Sequence, residues 1–216
     1  MSSNLALKLR IGTQQAHTNA EHTEFMRRFL KGAVNKNAFG KLLGNLYYIY
    51  SQLEAELKFY QNHPWISPIY FPKLNRTASL EQDLAFFYGE NWCEKITATS
   101  AAKAYISRIR ELSATEPVLL IAHAYTRYMG DLSGGQMLKK IAESALGLEN
   151  HQGVSFYEFK EITDLNGFKA KYREALDTVP IDEAMADNVV AEANISFNLN
   201  IQLLRELERG LVGAVC

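Results

Sequence analysis

Cysteine, proline and clustered positive charge are all scarce in this chain. Its 216 residues include 2 cysteines and 5 prolines, and the formal net charge is -1. The two cysteines, Cys93 and Cys216, are too few and too far apart to predict a disulfide framework or a zinc site, so a reducing compartment such as the cytoplasm is expected. No run of Lys and Arg exceeds two residues, which excludes the usual footprint of nucleic-acid binding.

Long apolar runs are missing as well. The longest uninterrupted aliphatic run lies near Val118 to Ala122, far short of the roughly 20 residues that cross a bilayer. The N-terminus has no charged stretch followed by an apolar, cleavable segment. We therefore predict neither a secretory signal nor a membrane span.

The residues that are present favour helices throughout. Hydrophobic residues make up 47% of the chain and charged residues 22%, which is enough apolar material for one core at this length. Apolar periodicity predicts an all-α fold in a single domain over residues 1–216, with helices at 4–20, 22–31, 36–60, 79–90, 100–115, 117–146, 165–178 and 181–209. Ser79 and Gln82 form a capping-box pattern, and Asp182 suits the start of the last helix.

An unusual stretch lies inside the helix predicted at 117–146. It reads Arg-Tyr-Met-Gly-Asp-Leu-Ser-Gly-Gly-Gln, from Arg127 to Gln136. Each glycine costs about 1 kcal/mol relative to alanine inside a helix, so Gly130, Gly134 and Gly135 together cost about 3 kcal/mol. Such a cost is tolerated where something must approach the backbone closely.

Three interpretations compete for this stretch. The segment 132–136 matches the signature peptide of ABC-type ATPases, but the chain has no phosphate-binding Gly-x-x-x-x-Gly-Lys-Ser/Thr loop to accompany it. The second interpretation is a helix kinked at the glycines, with bare backbone against a flat, bulky ligand. The third is a surface hinge with an ordinary pair between Arg127 and Asp131. The residues that share one helix face are Arg127, Gly130, Asp131 and Gly134, and this segment alone leaves the last two interpretations open.

Among the five histidines, His17 has the most suggestive surroundings. It lies beside an apolar helix face, with Arg10 and Glu21 in the same stripe. A neutral imidazole there could bind iron through one nitrogen while Glu21 accepts a hydrogen bond from the other. A half-buried structural histidine is the plainer alternative. Lys169 and Arg173, one turn apart, suit either two carboxylates of a ligand or a solvated basic face.

Several segments together resemble the heme oxygenase family. They are Gln15–Glu21, Tyr70–Leu74, Leu80–Phe86 and, above all, Ala122–Gln136. The resemblance extends from about Leu5 to Glu208. It implies a helical bundle that holds heme between a proximal N-terminal helix and a kinked distal helix. The lack of a long apolar tail is similar to the soluble bacterial and plastid members of the family.

The resemblance also implies roles for individual residues. His17 would be the proximal iron ligand and Glu21 its hydrogen-bond partner, while Phe197 would form a wall of the pocket. Gly130 and Gly134 would lay bare backbone over the porphyrin. The residues that would meet the propionates are Arg10, Tyr125, Lys169 and Arg173. The residues that would hold water beyond the distal face are Tyr50, Tyr105, Arg127, Asp131 and Asn200.

The implied function is O₂-dependent cleavage of heme, which would be both substrate and cofactor. Attack at the α-meso carbon would give biliverdin IXα, carbon monoxide and ferrous iron. The electrons must come from an external donor, a ferredoxin or another reductase, because the chain has neither a Gly-x-Gly-x-x-Gly fingerprint nor a cysteine cluster. The candidates for a docking face towards an acidic ferredoxin are Lys36, Lys41, Lys139 and Lys140.

Two other functions stay open beside this enzyme. A non-catalytic heme carrier or sensor would share the fold and the iron ligand but leave the ring intact. A di-iron carboxylate oxidase is also all-α, but it would need two Glu-x-x-His motifs, and the chain contains none. The sequence therefore favours the enzyme, then the carrier, and makes no prediction of oligomeric state.

Overall fold

Helices make up most of the protein in the computed structural model, which describes residues 4–212 and the side chains of residues 4–208. The α-helices are α1 (Leu5–Gly12), α2 (Gln14–Glu21), α3 (Glu24–Leu30), α4 (Lys36–Phe59), α5 (Thr77–Tyr88), α6 (Trp92–Lys95), α7 (Ser100–Thr115), α8 (Leu120–Ala124), α9 (Gly130–Leu146), α10 (Leu165–Asp177) and α11 (Glu183–Val212). Residues 4–212 contain no strand. The all-α prediction is confirmed.

Two of the predicted helices are divided in the structure. The helix expected at 4–20 breaks at Thr13, whose hydroxyl donates to the carbonyl of Leu9 at 2.7 Å. The helix expected at 117–146 begins as a 3₁₀ turn at Pro117–Leu119 and passes through a π-helical turn at Tyr125–Met129 before α9 starts. Turns of the π type inside helices are frequent at functional sites. The irregularity therefore precedes the glycines.

The two capping predictions had different outcomes. The capping box at Ser79 is wrong, because α5 begins two residues earlier at Thr77. The carboxylate of Glu54, on α4, accepts hydrogen bonds from the main-chain N–H groups of Arg76 and Thr77 and from the Thr77 hydroxyl. A distant carboxylate thus replaces the local cap. Asp182 does cap α11, since its Oδ1 accepts from the Met185 N–H at 2.8 Å.

The core lies around the two long helices. α4 packs against α5 and α7, and α11 packs against α1, α2, α7 and α8. One hydrophobic cluster extends along the chain from Leu5 to Leu207. A separate, smaller cluster joins α2 to α11 through Ala16, Ala20, Phe197 and Ile201. α11 therefore supports the first two helices along their length.

Two further predictions concern membrane spans and cysteines. Within residues 4–212, none of the helices combines the length and the apolar character that a membrane span requires. Cys93 is a free, exposed thiol, and Cys216 lies outside the described residues.

Candidate functional site

A cavity of about 720 Å³ opens between the N-terminal helices, α4, α9 and α11. This volume falls within the range of roughly 300–1,000 Å³ that small-molecule and cofactor sites occupy. One part of its wall is apolar, formed by Met26, Phe29, Leu42, Leu46, Leu138 and Phe156. Another part carries polar and charged side chains. The cavity thus suits a large ligand that is apolar in one region and charged in another.

Most of the predicted site residues meet at this cavity. Those that line it are Arg10, His17, Glu21, Tyr125, Arg127, Gly130, Asp131, Gly134, Arg173, Phe197 and Asn200. Three others do not line it: Tyr50, Tyr105 and Lys169. Tyr50 and Tyr105 lie behind the wall and are completely buried. Lys169 is half-buried on α10, one turn before Arg173.

His17 is held on α2 with one ring nitrogen turned towards a carboxylate. Its Nδ1 lies 3.7 Å from Oε1 of Glu21, one turn along the helix. This separation is longer than a hydrogen bond, so the contact is an electrostatic one. The ring meets Phe197 of α11 edge-on, with 5.9 Å between the ring centroids. Because Nδ1 faces Glu21, Nε2 is the nitrogen that remains for a metal ion.

The three glycines of α9 have two different surroundings. A Cβ added at Gly130 or at Gly134 would have no atom within 4 Å. Both positions line the cavity, so the missing side chains leave room beside the helix backbone. A Cβ at Gly135 would lie 3.3 Å from Cδ1 of Tyr157. Gly135 also lines the cavity, but a Cβ there would lie against Tyr157, so it is the most tightly packed of the three glycines.

Arg127 lies in the π-helical turn that precedes α9. Among the side chains of residues 4–208, the partner of Asp131 is the Tyr50 phenol and not the Arg127 guanidinium. The guanidinium carbon of Arg127 lies 6.0 Å from the centroid of the Tyr50 ring and 5.9 Å from that of Tyr105. Its buried Nε has no hydrogen-bond partner in the protein. A donor of this kind at a cavity fits an ordered water or a polar ligand atom.

Asp131 is held at the cavity by Tyr50. The Tyr50 phenol donates a short hydrogen bond to Oδ2 of Asp131. Burial raises the pKa of Asp131 to about 6, although Arg127 and the hydrogen bond from Tyr50 oppose this effect. Asp131 is therefore ionised at neutral pH but becomes protonated in mild acid.

The charged part of the wall is centred on Tyr125. Burial raises the pKa of its phenol, while a hydrogen bond with Thr13 and the nearby cations Arg173 and Arg10 lower it. Two cations and a phenol thus lie at one part of the cavity. This set suits carboxylate groups of a ligand, because Arg binds carboxylates through paired N–H donors.

A buried polar network behind the wall was missed by the sequence reasoning. His123 is fully buried, and its Nε2 lies 2.9 Å from Oε1 of Glu192. Arg108 donates to both oxygens of that carboxylate at 3.1 and 2.6 Å. Burial lowers the pKa of His123, which favours the neutral ring. The available signal was a polar stripe on the apolar face of α11, at Glu192, Ser196 and Asn200.

Comparisons with known proteins agree with this geometry. The family model described as heme oxygenase matches residues 3–206. Heme oxygenase 1 of Nostoc sp. is 54% identical over 215 residues, which cover 100% of this chain and 90% of that protein. Heme oxygenase 1 of Synechocystis sp. is 51% identical over 215 residues, which cover 100% of this chain and 89% of that protein.

The solved structures that resemble this fold are also heme oxygenases. The crystal structure of heme oxygenase-1 from the cyanobacterium Synechocystis sp. in complex with heme has a TM-score of 0.96 at 50% identity, and covers 98% of this chain and 96% of that one. Heme oxygenase from Leptospira interrogans has a TM-score of 0.90 at 44% identity, and covers 95% of this chain and 100% of that one. Since sequence model, relatives and structures all span nearly the whole length, this chain belongs to the heme oxygenase family.

Proposed function

We propose that this protein binds heme in the cavity through His17 and cleaves the ring at its α-meso carbon to biliverdin IXα, carbon monoxide and ferrous iron. Conversion of heme to biliverdin with O₂ and electrons from a reductant is the function of the family. One observation carries the proposal: the same cavity is lined by a histidine with a free Nε2 on α2 and by the bare backbone of Gly130 and Gly134 on α9.

The residues present fit a heme. The volume and apolar wall suit a flat macrocycle, and the open space at Gly130 and Gly134 lets such a ring approach the helix. The imidazole of His17 suits iron, and the cations Arg10 and Arg173 suit the two propionates. When bound, heme supplies the iron that activates O₂ and the carbon skeleton that is cleaved.

Each polar residue then has a distinct task. Glu21 orients the ring of His17 through Nδ1 and favours the tautomer that leaves Nε2 free. Asp131, held by Tyr50, accepts hydrogen bonds from waters in the cavity and so orders proton donors beside the ring. The unpartnered Nε of Arg127 supplies a further donor to such waters. Neither Asp131 nor Arg127 needs to contact the iron itself.

The Arg10, Tyr125 and Arg173 group orients the heme. A flat ring in an apolar slot can rotate about its normal, and rotation would present a different meso carbon to the distal helix. Contacts with the propionates select one rotation, which is positioning of the kind that catalysis requires. Lys169 lies outside the cavity wall and contributes through its charge rather than through contact.

Three further parts of the proposal concern the protein as a whole. The electrons come from a ferredoxin or another reductase that docks near the edge of the cavity. The protein works in the cytoplasm, as its low cysteine content favours. Residues 1–216 form one domain, which is supported by a hydrophobic cluster that takes members from Leu5 to Leu207.

A single spectroscopic experiment separates this enzyme from a heme carrier. Hemin is added to the purified protein, then ascorbate or reduced ferredoxin in air, and the absorbance is followed. We expect the heme bands to be replaced by those of biliverdin. Heme bands that persist under reductant and O₂ would favour a carrier. His17→Ala is the matched control: it should bind hemin but lose turnover, and added imidazole should partly restore it.

A further inference from the structure

The junction between α1 and α2 lies in very close contact with α11. A Cβ added at Gly12 would lie 2.4 Å from Cγ1 of Val190, closer than real Cβ atoms approach. A valine in a helix has one strongly preferred rotamer, so this methyl group cannot turn away without cost. Gly12 is not among the glycines with positive φ. Its role is therefore to provide space, not an unusual backbone conformation.

A hydrogen bond from Asn194 holds the same junction. Nδ2 of Asn194 donates to the carbonyl oxygen of Gly12 at 3.0 Å and to that of Val190, in its own helix, at 2.9 Å. The last carbonyl groups of a helix have no partner inside that helix. Asn194 gives the end of α1 such a partner from α11. Steric contact and hydrogen bond together fix where the junction lies on α11.

The junction is one helical turn away from His17. The main-chain N–H of His17 donates to the carbonyl of Thr13 at 2.9 Å. The hydroxyl of Thr13 donates back to Leu9 in α1 at 2.7 Å. A displacement at Gly12 is therefore passed to His17 through one intervening turn of hydrogen-bonded backbone.

One face of α11 carries all of these contacts. Val190, Asn194 and Phe197 are spaced i, i+4 and i+7, which places them on the same side of the helix. The first two meet the α1–α2 junction, and Phe197 meets the ring of His17. Downstream of the junction, α2 is held to α11 by the small apolar cluster of Ala16, Ala20, Phe197 and Ile201.

We propose that Gly12, Val190 and Asn194 are positioning residues for the iron ligand. They set the distance between α2 and α11 at the junction, and through it the place and tilt of the His17 imidazole. The proposal rests on the function proposed above for His17. None of the three residues lines the cavity, so a substitution at any of them acts on the His17 side chain without contacting heme.

The test adds one methyl group and then removes its obstacle. Gly12→Ala should weaken hemin binding about tenfold, the effect of overpacking a tight contact, and should shift the iron–histidine stretching frequency of the ferrous complex in resonance Raman spectra. Gly12→Ala with Val190→Ala restores the space, so the double variant should recover most of both properties. Gly40→Ala is the matched control, because its Cβ would meet Tyr88 Oη at 2.6 Å and neither of these two residues lines the cavity. It should lower the melting temperature and leave the stretching frequency unchanged.

Asn194→Ala removes the hydrogen bond without adding atoms and serves where Gly12→Ala fails to fold. We expect a smaller shift of the same band. The proposal is overturned by an unshifted band in both single variants, or by an equal shift in Gly40→Ala, which would reveal a general loss of packing. Failure of the underlying function is distinguishable. An iron–histidine band that survives in His17→Ala would remove His17 as the ligand, whatever the Gly12 variants do.

Discussion

The phenol of Tyr50 donates a hydrogen bond to Oδ2 of Asp131, a residue 81 positions later in the sequence, and so joins α4 to the first turn of α9. Burial raises the pKa of Tyr50 well above its ordinary value, so the phenol remains a donor at neutral pH. The bond leaves Oδ1 of Asp131 for another donor. Asp131 is therefore a fixed acceptor at the cavity.

Removal of the Asp131 carboxylate should change the reaction more than the binding. Asp131→Ala should bind hemin within about twofold of the parent but form biliverdin about a hundredfold more slowly, the size of effect that a lost proton-delivery group produces. Asp131→Asn keeps the shape and an acceptor for Tyr50, so it should retain more activity. Hemin titration, biliverdin absorbance and peroxide-dependent oxidation of guaiacol are compared, and guaiacol oxidation should rise in Asp131→Ala. Biliverdin formed at the parent rate would contradict the role.

Asp83 should make the protein less stable as pH rises from about 4 to about 6. Its fully buried carboxylate accepts from the N–H groups of Ser155 and Phe156, both at 2.8 Å, yet burial raises its pKa to about 6. In this interval the unfolded chain has already released the proton and the folded protein still holds it, so the free energy of unfolding falls with pH. The fall is at most about 3 kcal/mol.

Urea unfolding between pH 4 and pH 7 checks this sign. The difference in unfolding free energy between the parent and Asp83→Asn should decrease over that range and then become constant. A difference that grows with pH would mean that the two N–H groups outweigh burial and that the pKa of Asp83 is lowered. The ring of Phe156 contacts the ring of Tyr50, with 5.4 Å between their centroids. The same variant therefore also tests how far the hydrogen bond from Phe156 to Asp83 helps to hold Tyr50 in place.

The sequence was sufficient where structure depends on local pattern. Apolar periodicity located the long helices, and the unfavourable glycines at 130 and 134 marked a stretch of helix backbone that lines the cavity. Helix boundaries were less predictable, because contacts distant in sequence decide them. The start of α5 depends on Glu54, 22 positions before Arg76, and the break between α1 and α2 lies against Val190 and Asn194 of α11.

The polar part of the site shows the same limit. Asp131 was recognisable from its place among glycines, but its hydrogen-bond partner depends on how α4 packs against α9. The π-helical turn also escaped prediction, because its residues have ordinary helical propensity. His123 looked unremarkable in sequence, and only its burial beside Glu192 makes it part of a network. Pairings of this kind follow from tertiary packing, which periodicity does not encode.

Ferredoxin docking should depend on Lys140 and not on Lys139. Lys140 is exposed, whereas the ammonium of Lys139 is bound to Glu158 at 2.7 Å and lies 3.8 Å from Glu143. Lys140→Glu should raise the KM for an acidic ferredoxin about threefold at low salt and leave ascorbate-supported turnover unchanged, because exposed charges steer association. The effect should vanish near 1 M salt, where the Debye length is about 3 Å.

Lys139→Ala is the matched control for that experiment. It should cost stability through the lost ion pairs and leave the ferredoxin KM at the parent value. If ferredoxin-supported turnover shows no dependence on ionic strength, docking is not guided by charge and the lysine face is wrong.

The choice of meso carbon should depend more on Arg173 than on Lys169. Arg173 lines the cavity and Lys169 does not. A partly exposed contact with a propionate contributes about 1 kcal/mol or less, so Arg173→Ala should release a small but measurable fraction of non-α biliverdin. Lys169→Ala should release less, and Lys169→Glu combined with Arg173→Glu should release the most. Chromatography of the isomers measures this order, and an unchanged pattern in the double variant would assign orientation to Phe197 and the distal helix instead.

Gly134→Ala should change stability and heme binding in opposite directions. In the heme-free protein a Cβ at position 134 would have no atom within 4 Å, so alanine should stabilise α9 by about 1 kcal/mol and raise the melting temperature by about 2–4 °C. The same methyl group would occupy space in the cavity, so hemin affinity should fall at least about tenfold. Gly135→Ala is the comparison variant, because its Cβ would lie against Tyr157 at 3.3 Å and not in open space. It should gain little stability and lose less hemin affinity than Gly134→Ala. A Gly134→Ala protein that is more stable and still binds hemin as tightly as the parent would show that no ligand lies against this helix.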